Sequence, residues 1–386
     1  MMQSPQVVQF LRDGGTLADL LTTRGIIAKR HGRYGNLVLL KYNQIESPMA
    51  DPIVQECRGI ILDEADGWRV VSRSFDKFFN YGEGHAAPID WSTASVQEKV
   101  DGSLITVYEY RGEWHAATTG TPDGCGNVHG LDVSGMWSPR PGTSLPVPDT
   151  FAGYFWQALT FYDVPPFYAP PSGAASCLSW MFELTGPLNR VVVPHAEVKV
   201  TLLGARLPDT GKWIPLADAK RILGGNVPAV RSFPLQSVDD ILASFGSLSP
   251  LAQEGYVVCD AAFNRIKVKH PGYVALHHAK DGMSMRAFVE IAKSGEVPEV
   301  EAAFPELKPQ IDDVRERLDA LVTRTDLDFV EHRGAASQKD FALAVKDKPH
   351  SAALFAMRAG KATTARAYYA TRTADQLMPL LGLRAS

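Results

Sequence analysis

The stretch that decides the fold reads EKVDGSLITVYEY and occupies Glu98–Tyr110. Its second half, Leu104–Tyr110, is rich in β-branched and aromatic residues, which predicts a strand. Lys99 stands just before Asp101 and Gly102, and a glycine at such a point lets the backbone approach a ligand closely. The stretch therefore predicts an amine held beside a tight turn at the mouth of a strand. Ordinary surface turns carry the same residues often, so other segments have to decide between the two readings.

Two further lysines favour a chemical role for this amine. An amine with an ordinary pKa of about 10.4 is a poor nucleophile at neutral pH. Nearby cations, or removal from water, favour the neutral amine that can attack phosphorus. Lys267 and Lys269 lie two apart on a predicted strand, so both project from one face. They could neutralise a phosphate beside Lys99, or they could protect an exposed strand edge from aggregation.

Other charged residues stand within or beside predicted strands. Glu183 lies inside an apolar strand and Glu254 opens another. A buried carboxylate needs hydrogen-bond donors, which ribose hydroxyls would supply, whereas a carboxylate at a strand end needs only water. Arg58 precedes an apolar strand, where a phosphate clamp and a surface ion pair both remain open. Lys77 with Phe79 could offer a cation and a platform for a base, or the aromatic ring could belong to the core.

Length and composition set the frame for these sites. The chain has 386 residues, 45% of them hydrophobic, which is enough for a sizeable core and favours two domains. The formal net charge of -4 gives no overall positive field, although a local basic groove remains possible. No stretch reaches the roughly 18 consecutive apolar residues that a membrane span needs. We therefore expect a cytoplasmic protein that makes no membrane contact.

The pattern of apolar residues changes near residue 280. Before it, short apolar runs broken by glycine and proline predict strands, and after it, apolar residues recur at helical spacing on a charged background. We predict one domain over residues 1–280 and an all-helical domain over 281–386. The segment Gln338–Ser386 carries eight basic and three acidic residues. Within it, Arg358, Lys361 and Arg366 are candidates for RNA binding, and a solvated helical face is the alternative.

In this order, the segments resemble the motifs of the covalent nucleotidyltransferases. The closest likeness is to the ATP-dependent RNA ligases of the bacteriophage RNA ligase 1 type. The similar segments are Cys57–Ile60, Asp76–Asn80, Lys99–Ser103, Phe182–Leu184, Glu254–Val258, Lys267–Lys269 and Tyr273–His277. The resemblance implies an α+β fold, with an adenylation domain of antiparallel sheets and flanking helices followed by an all-α C-terminal domain.

The resemblance also implies roles for individual residues. Lys99 is the catalytic residue that forms the phosphoramidate with AMP, and Glu299 matches a metal-ligating acid of the family. The implied ATP and AMP site comprises Arg58, Lys77, Phe79, Glu98, Gly102, Glu183, Glu254, Lys267, Lys269 and Tyr273. The chain departs from the family at Thr118–Gly120, where related enzymes have a lysine shortly after the nucleophile strand.

The implied activity is ligation of RNA ends through lysyl-AMP and RNA-adenylate intermediates. The expected cofactors are ATP and Mg²⁺ or Mn²⁺, and the expected partner is RNA with 5′-phosphate and 3′-hydroxyl ends, such as a nicked tRNA in tRNA repair. The resemblance further implies a monomer, in the host cytoplasm if the chain is phage-encoded. The alternatives are a catalytically silent RNA-binding protein with the ligase fold, a DNA ligase and a capping nucleotidyltransferase.

Overall fold

The computed structural model describes residues 4–44, 46–128, 136–137, 142–143, 145–280, 285–294 and 307–383. The chain forms two compact units, Met1–Lys269 and His270–Ser386. The helix Pro271–Lys280 groups with the second unit because it packs on the helix Met285–Ser294. The predicted domain boundary at 280/281 stays a prediction.

The first unit is built mainly from short strands. Its strands are β1 (Ile26–Arg30), β2 (Leu37–Tyr42), β3 (Arg58–Asp63), β4 (Arg69–Ser72), β5 (Phe79–Asn80), β6 (Ser95–Lys99), β7 (Ser103–Tyr110), β8 (Glu113–Ala117), β9 (Met136–Trp137), β10 (Leu145–Pro146), β11 (Ser179–Thr185), β12 (Lys199–Arg206), β13 (Trp213–Ile214), β14 (Ser232–Phe233), β15 (Gly255–Cys259) and β16 (Arg265–Lys269). Its helices are α1 (Gln6–Arg12), α2 (Leu17–Arg24), α3 (Pro52–Glu56), α4 (Phe151–Leu159), α5 (Pro165–Tyr168), α6 (Gly173–Ser176), α7 (Leu216–Leu223) and α8 (Val238–Ser244), with 3₁₀ turns at Glu64–Asp66 and Pro187–Asn189.

Antiparallel pairing dominates the sheets of this unit. One sheet has the order β1-β2-β3-β4, a second β13-β12-β11-β7-β8, and a third β14-β6-β15-β16-β5. β9 pairs with β10, and the short contact between β16 and β5 is parallel. The predicted strands at Leu104–Tyr110 and around Lys267 and Lys269 are confirmed as β7 and β16, and β16 forms a hairpin with β15. The predicted α+β class with antiparallel sheets is likewise confirmed.

The largest core lies on one face of the second sheet. Trp180 and Phe182 of β11 are fully buried there, together with Tyr154 and Phe155 of α4. Aromatic side chains of this size supply much of the apolar area that stabilises a sheet against a helix. This packing fixes β11 and its neighbour β7, and Glu183 lies on β11 between buried residues.

Gly102 connects the second and third sheets, since β6 ends at Lys99 and β7 begins at Ser103. A Cβ atom on Gly102 would lie 2.4 Å from the carbonyl oxygen of Leu184. Only glycine lets the turn pass so close to β11. The close contact at this glycine is with the backbone of β11, and the predicted approach to a ligand stays a prediction.

We expect Gly102→Ala to lower the free energy of unfolding by about 1–3 kcal/mol, because the added methyl group forces the turn away from β11. Urea denaturation followed by fluorescence measures the change. Gly84→Ala is the matched control, since a Cβ atom there meets nothing within 4 Å. Equal stability of the two variants would contradict the prediction.

The second unit is helical over its described residues. Its helices are α9 (Pro271–Lys280), α10 (Met285–Ser294), α11 (Lys308–His332), α12 (Gln338–Val345), α13 (Ser351–Arg358), α14 (Ala365–Ala370) and α15 (Ala374–Leu377). Ser337 caps the N-terminus of α12, because its hydroxyl accepts a hydrogen bond from the Asp340 amide at 3.1 Å. The Thr325 and Tyr369 hydroxyls lie 2.8 Å apart in the interior and join α11 to α14. Within the described ranges, no helix has both the length and the apolar character to cross a bilayer.

Candidate active site

A cleft of about 560 Å³ in the first unit is lined by seven of the eleven residues predicted for the catalytic lysine and the ATP and AMP site. Its walls come from all three large sheets, because β2 and β3, β7 and β11, and β6, β15 and β16 all contribute residues. Six basic residues line it: Lys41, Arg58, Lys99, Arg265, Lys267 and Lys269. The protein is acidic overall, so this cleft is a local concentration of positive charge suited to an anion.

Lys99 is held by a carboxylate at the end of its strand. Its Nζ atom donates to Glu254 Oε2 at 2.5 Å, and Lys269 Nζ lies 2.9 Å from Glu254 Oε1. The sheet register produces this arrangement. Gly255 pairs with Lys99 on one side and with Lys269 on the other, so Glu254 reaches the gap between the two amines.

Glu254 is ionised in this setting. Its side chain is only 4% exposed, and burial by itself would raise the pKa. The charges of Lys99 and Lys269 and their hydrogen bonds outweigh burial, so the pKa of Glu254 is lowered. The carboxylate therefore orients the Lys99 amine as a charged acceptor.

Lys267 has the opposite electrostatic setting. Burial lowers its pKa to about 6, and the positive charges of Arg58, Lys77, Lys99 and Lys269 act in the same direction. Its amine lies 4.7 Å from the centre of the Phe78 ring. An amine of this kind is mostly neutral at pH 7 until an anion enters, and a phosphate would then stabilise its protonated form.

Glu183 faces the cleft from β11 and lines its wall. Burial raises the pKa of Glu183 to about 8, although the charge of Lys99 lowers it in part. The side chain is therefore protonated at pH 7. A neutral carboxyl group can both donate and accept a hydrogen bond, which suits a hydroxyl-bearing ligand.

The raised pKa of Glu183 predicts a pH-dependent stability. Because the folded protein binds this proton more tightly than the unfolded chain, stability falls as pH rises from about 4.5 through about 8. Glu183→Gln removes that titration. We expect the variant to gain on the order of 2 kcal/mol relative to the native protein on moving from pH 5 to pH 9. Thermal unfolding at both pH values tests this, with the exposed Glu46→Gln as the control. Parallel pH profiles for native protein and Glu183→Gln would contradict it.

Asp101 of the nucleophile motif has a structural position. It is 4% exposed, and its Oδ2 atom accepts hydrogen bonds from the amides of Val192 and Val193 at 2.9 and 2.6 Å. The ring of His195 lies 3.1 Å from the Asp101 carbonyl oxygen. These contacts fix the turn that carries Lys99, so Asp101 positions the amine without facing the cleft.

Several other predicted residues also reach the cleft. Arg58, Glu98 and Gly102 all line it. Among the described residues, the Arg58 Nη1 atom is buried without a hydrogen-bond partner, which leaves a donor for an anion. Glu98 forms an ion pair with Arg231 at 2.8 Å, so its charge is already matched.

Lys77 and Phe79 line a neighbouring cavity of about 180 Å³ instead. The Lys77 amine lies 5.4 Å from the ring centres of both Tyr42 and Phe79, and the Phe79 ring is 5% exposed. The cleft itself is lined by Phe78, whose ring is contacted by the Arg58 guanidinium at 5.6 Å. Phe79 thus lies beside the Lys77 amine as paired in the sequence analysis, while Phe78 is the aromatic residue of this segment that lines the cleft; the predicted role of Phe79 stays a prediction.

Two predicted residues cannot be placed beside these groups. Tyr273 is buried in α9, which belongs to the second unit. Glu299, the predicted metal ligand, lies outside the described residues. Their predicted roles stay predictions.

The three predicted RNA-binding residues have different surroundings. The Arg358 guanidinium donates hydrogen bonds to the carbonyl oxygens of Arg333 and Ala335, and these bonds tie together the loop before α12. Arg366 forms an ion pair with Asp319. Lys361 lines a cavity of about 720 Å³ that includes Tyr368 and Arg372. The two arginines thus have partners within the protein. Lys361 lines its cavity together with the Tyr368 ring and the Arg372 guanidinium.

Sequence reasoning missed two cations of the cleft. Arg265 opens β16, and its guanidinium stacks on the Trp213 ring at 4.0 Å. Lys41 lies in β2, a strand whose other residues are all buried apolar or aromatic side chains. A lone charge in a buried strand is costly unless it meets water or an anion, and that cost was the signal that could have found Lys41.

The cleft carboxylates do not fit a divalent cation site. Glu183 is protonated at neutral pH, Glu254 bridges two lysines and Glu98 pairs with Arg231. Over the described ranges, the grouping of possible metal ligands is Asp328 with its neighbours in α11 of the second unit. We derive no catalytic step through a metal from the described residues.

The comparisons with known proteins agree with this geometry. A family model described as RNA ligase matches residues 56–129. A putative bifunctional polynucleotide kinase/RNA ligase of Autographa californica nuclear polyhedrosis virus is 30% identical over 295 residues, 72% of this chain and 38% of that protein. The RNA ligase of Rhodothermus phage RM378 is 26% identical over 361 residues, 78% of each chain. RNA ligase 1 of bacteriophage TS2126 is 38% identical over 258 residues, 62% of this chain and 56% of that protein.

The chain spans well under half the length of the first of these relatives. The matched range 56–129 includes Arg58, Lys99 and Gly102, which meet in the cleft. Sequence likeness and cleft geometry thus coincide on the same residues, and the chain is similar over this range to RNA ligases, among them RNA ligase 1 of bacteriophage TS2126.

Proposed function

We propose that this protein is an ATP-dependent RNA ligase that carries AMP on Lys99. The observation that carries the proposal is the Lys99 amine, oriented by Glu254 at 2.5 Å and facing a cleft with five further basic residues. A nucleophilic amine needs orientation and a neutralised phosphate, because displacement at phosphorus asks the protein mainly to position groups and offset charge.

The proposed reaction has three displacements at phosphorus. The Lys99 ammonium first gives a proton to solvent, and the neutral amine attacks the α-phosphorus of ATP; a nitrogen–phosphorus bond forms, pyrophosphate leaves, and the nitrogen gives a second proton to solvent. A 5′-phosphate of RNA then attacks the same phosphorus, which breaks the nitrogen–phosphorus bond, forms a 5′-5′ pyrophosphate and frees the amine, which takes up protons again. Finally a 3′-hydroxyl loses its proton to solvent, attacks the RNA phosphorus and releases AMP, so one phosphodiester is made for each ATP consumed.

The cleft residues divide the work of the first step. Arg58 and Lys269 contribute positive charge beside the phosphates, and Lys267, which lines the same cleft, takes up a proton when the phosphates bind. The protonated Glu183 is placed to hydrogen-bond a ribose hydroxyl, as the family resemblance implies. A divalent cation, Mg²⁺ or Mn²⁺, would neutralise phosphate oxygens and would arrive largely with the nucleotide, because Mg²⁺ keeps several waters and binds through substrate phosphates.

A labelling experiment tests the proposal. The protein is incubated with α-³²P-ATP or α-³²P-GTP and Mg²⁺, denatured and separated on a gel, and we expect label from ATP alone to stay on the protein. Adding 5′-phosphorylated RNA or DNA then identifies the polymer, and we expect RNA to be joined. Absence of an adduct would overturn the enzyme proposal in favour of a silent RNA-binding protein. A GTP adduct would indicate capping chemistry, and joining of DNA alone would make RNA the wrong substrate.

Nicked tRNA with 5′-phosphate and 3′-hydroxyl ends is the natural substrate class that we propose for this activity, in tRNA repair. Lys361 with Tyr368 supports a contact to the RNA backbone, since a cation beside an aromatic ring can bind a phosphate and stack on a base. Joining rates for a nicked tRNA anticodon loop and for unstructured RNA of equal length test this. Equal rates would contradict the tRNA proposal without affecting the ligase proposal.

A further inference from the structure

Lys41 is a cation of the cleft that belongs to none of the sequence motifs. It lies in β2 and lines the cleft with Lys99. Its own strand is buried, yet Lys41 itself is partly exposed. Among the ion pairs of the described residues, none includes the Lys41 amine. A partly buried ammonium without a carboxylate is stabilised when an anion binds beside it.

An irregularity in the first sheet turns Lys41 toward the cleft. The register between β2 and β3 shifts after Leu40, so Lys41 pairs with Arg58 and Gly59 is left opposite no residue of β2. Gly59 has a φ of +90°, which glycine adopts without strain. The shift places the side chains of Lys41 and Arg58 side by side, and both line the same wall.

The same irregularity brings a turn against this strand. A Cβ atom on Gly59 would lie 3.2 Å from Thr119 Cα, so the lack of a side chain lets the turn Thr118–Gly120 approach. The position of a Cβ atom on Gly120 is 3.7 Å from Lys41 Nζ. The departure from the family at Thr118–Gly120 therefore lies beside an amine that comes from another strand.

The turn itself offers few free donors. The amides of Gly120 and Thr121 both donate to the Thr118 hydroxyl, at 3.1 and 3.0 Å. The Lys41 amine and the Arg58 guanidinium are therefore the charged donors that this part of the cleft offers to an anion. Two adjacent cations on one wall match the charge of a phosphate group.

We propose that Lys41 binds a substrate phosphate in the cleft. The proposal rests on the proposed function and extends it. It assigns the Lys41 amine as the phosphate-binding group on the side of the cleft near Thr118–Gly120. The phosphate is either a terminal phosphate of ATP or the 5′-phosphate of the RNA end. Both carry non-bridging oxygens that a lysine ammonium can bind.

Three variants test the proposal. Lys41→Met keeps most of the aliphatic stem and removes the charge, Lys41→Arg keeps the charge, and Lys41→Met with Thr119→Lys returns an amine from the turn. The matched control is Lys220→Ala, an exposed lysine of α7 that does not line the cleft. Melting temperature is recorded for each variant, so that loss of folding is separated from loss of binding.

Two assays distinguish the two sources of phosphate. ATP binding by calorimetry reports on the nucleotide phosphates, and joining of chemically pre-adenylated RNA without ATP reports on the RNA end. We expect Lys41→Met to weaken one of these by about 10- to 100-fold, with Lys41→Arg intermediate and the double variant improved over Lys41→Met. Loss in the first assay identifies ATP, and loss in the second identifies RNA.

Two results would overturn the proposal. One is a Lys41→Met protein that matches Lys220→Ala in both assays. The other is a loss that accompanies a lowered melting temperature and is not improved by Thr119→Lys, which would give Lys41 a packing role. Failure of the proposed function looks different, because native protein would then form no adduct with ATP. The calorimetric assay needs no turnover and still decides the role of Lys41 in that case.

Discussion

Lys99→Ala is expected to abolish the AMP adduct, with a loss of at least about 1,000-fold in labelling by α-³²P-ATP. The variant lacks the only atom that forms the bond to phosphorus in the proposed mechanism. Lys99→Arg is expected to fail as well, because a guanidinium stays protonated and cannot attack. Gel autoradiography after denaturation measures both variants against the native protein.

The third step of the proposed reaction, in which the RNA ends are joined, allows a more specific test of Lys99. Joining of pre-adenylated RNA needs no lysyl-AMP, so Lys99→Ala should retain more activity in that assay than in the assay from ATP. Lys29→Ala, an exposed lysine of β1, is the control and should label like the native protein. An adduct of normal intensity on Lys99→Ala would place the AMP on another residue and would refute the assignment of the nucleophile.

Glu254→Gln has the second largest expected effect, because this carboxylate bridges Lys99 and Lys269. The substitution keeps the shape and removes the charge that orients the amine. We expect labelling by ATP to fall about 10- to 100-fold and the free energy of unfolding to fall by about 1–3 kcal/mol. The loss of stability stays below that of a fully buried pair, because the Lys99 and Lys269 side chains are 21% and 30% exposed.

The pH dependence identifies the source of that loss. The pKa of Glu254 is lowered in the folded protein, so its contribution is present above its ordinary value near 4.5 and is lost as pH falls through the folded value. The difference between native protein and Glu254→Gln should therefore be largest near pH 7 and shrink below pH 4.5. Glu64→Gln, which removes a surface ion pair with Arg30, is the control and should change stability by less than about 1 kcal/mol. A difference that is constant with pH would contradict the electrostatic explanation.

Local sequence patterns were sufficient for the individual elements that carry the site. The β-branched run after Gly102 predicted β7, and the alternation at Lys267 and Lys269 predicted that both lysines share a face. These predictions succeed because strand periodicity depends on neighbouring residues only. The placement of Glu183 within an apolar strand is predictable for the same reason.

Other features needed the pairing of distant segments. Phe78 and Phe79 are neighbours in sequence, but Phe78 lines the cleft as well as the neighbouring cavity, whereas Phe79 of β5 lines the neighbouring cavity and not the cleft. Arg358 looked like a free cation in a basic segment, whereas its guanidinium holds the loop before α12. Which neighbour a long side chain meets depends on packing between elements, and no local pattern reports that.

The sequence by itself was sufficient to predict the strands and the helical C-terminal segment and to single out Lys99 as the candidate nucleophile, because periodicity and ordered motifs depend on local residues. Only the tertiary structure decided that Glu254 lies between Lys99 and Lys269, since this depends on Gly255 pairing with both β6 and β16. It also decided the charge states of Glu183 and Lys267, because burial and surrounding charges set a pKa and both arise only when distant strands meet. The position of Lys41 in the cleft likewise depends on tertiary structure. It requires the register shift between β2 and β3 and the approach of the turn Thr118–Gly120.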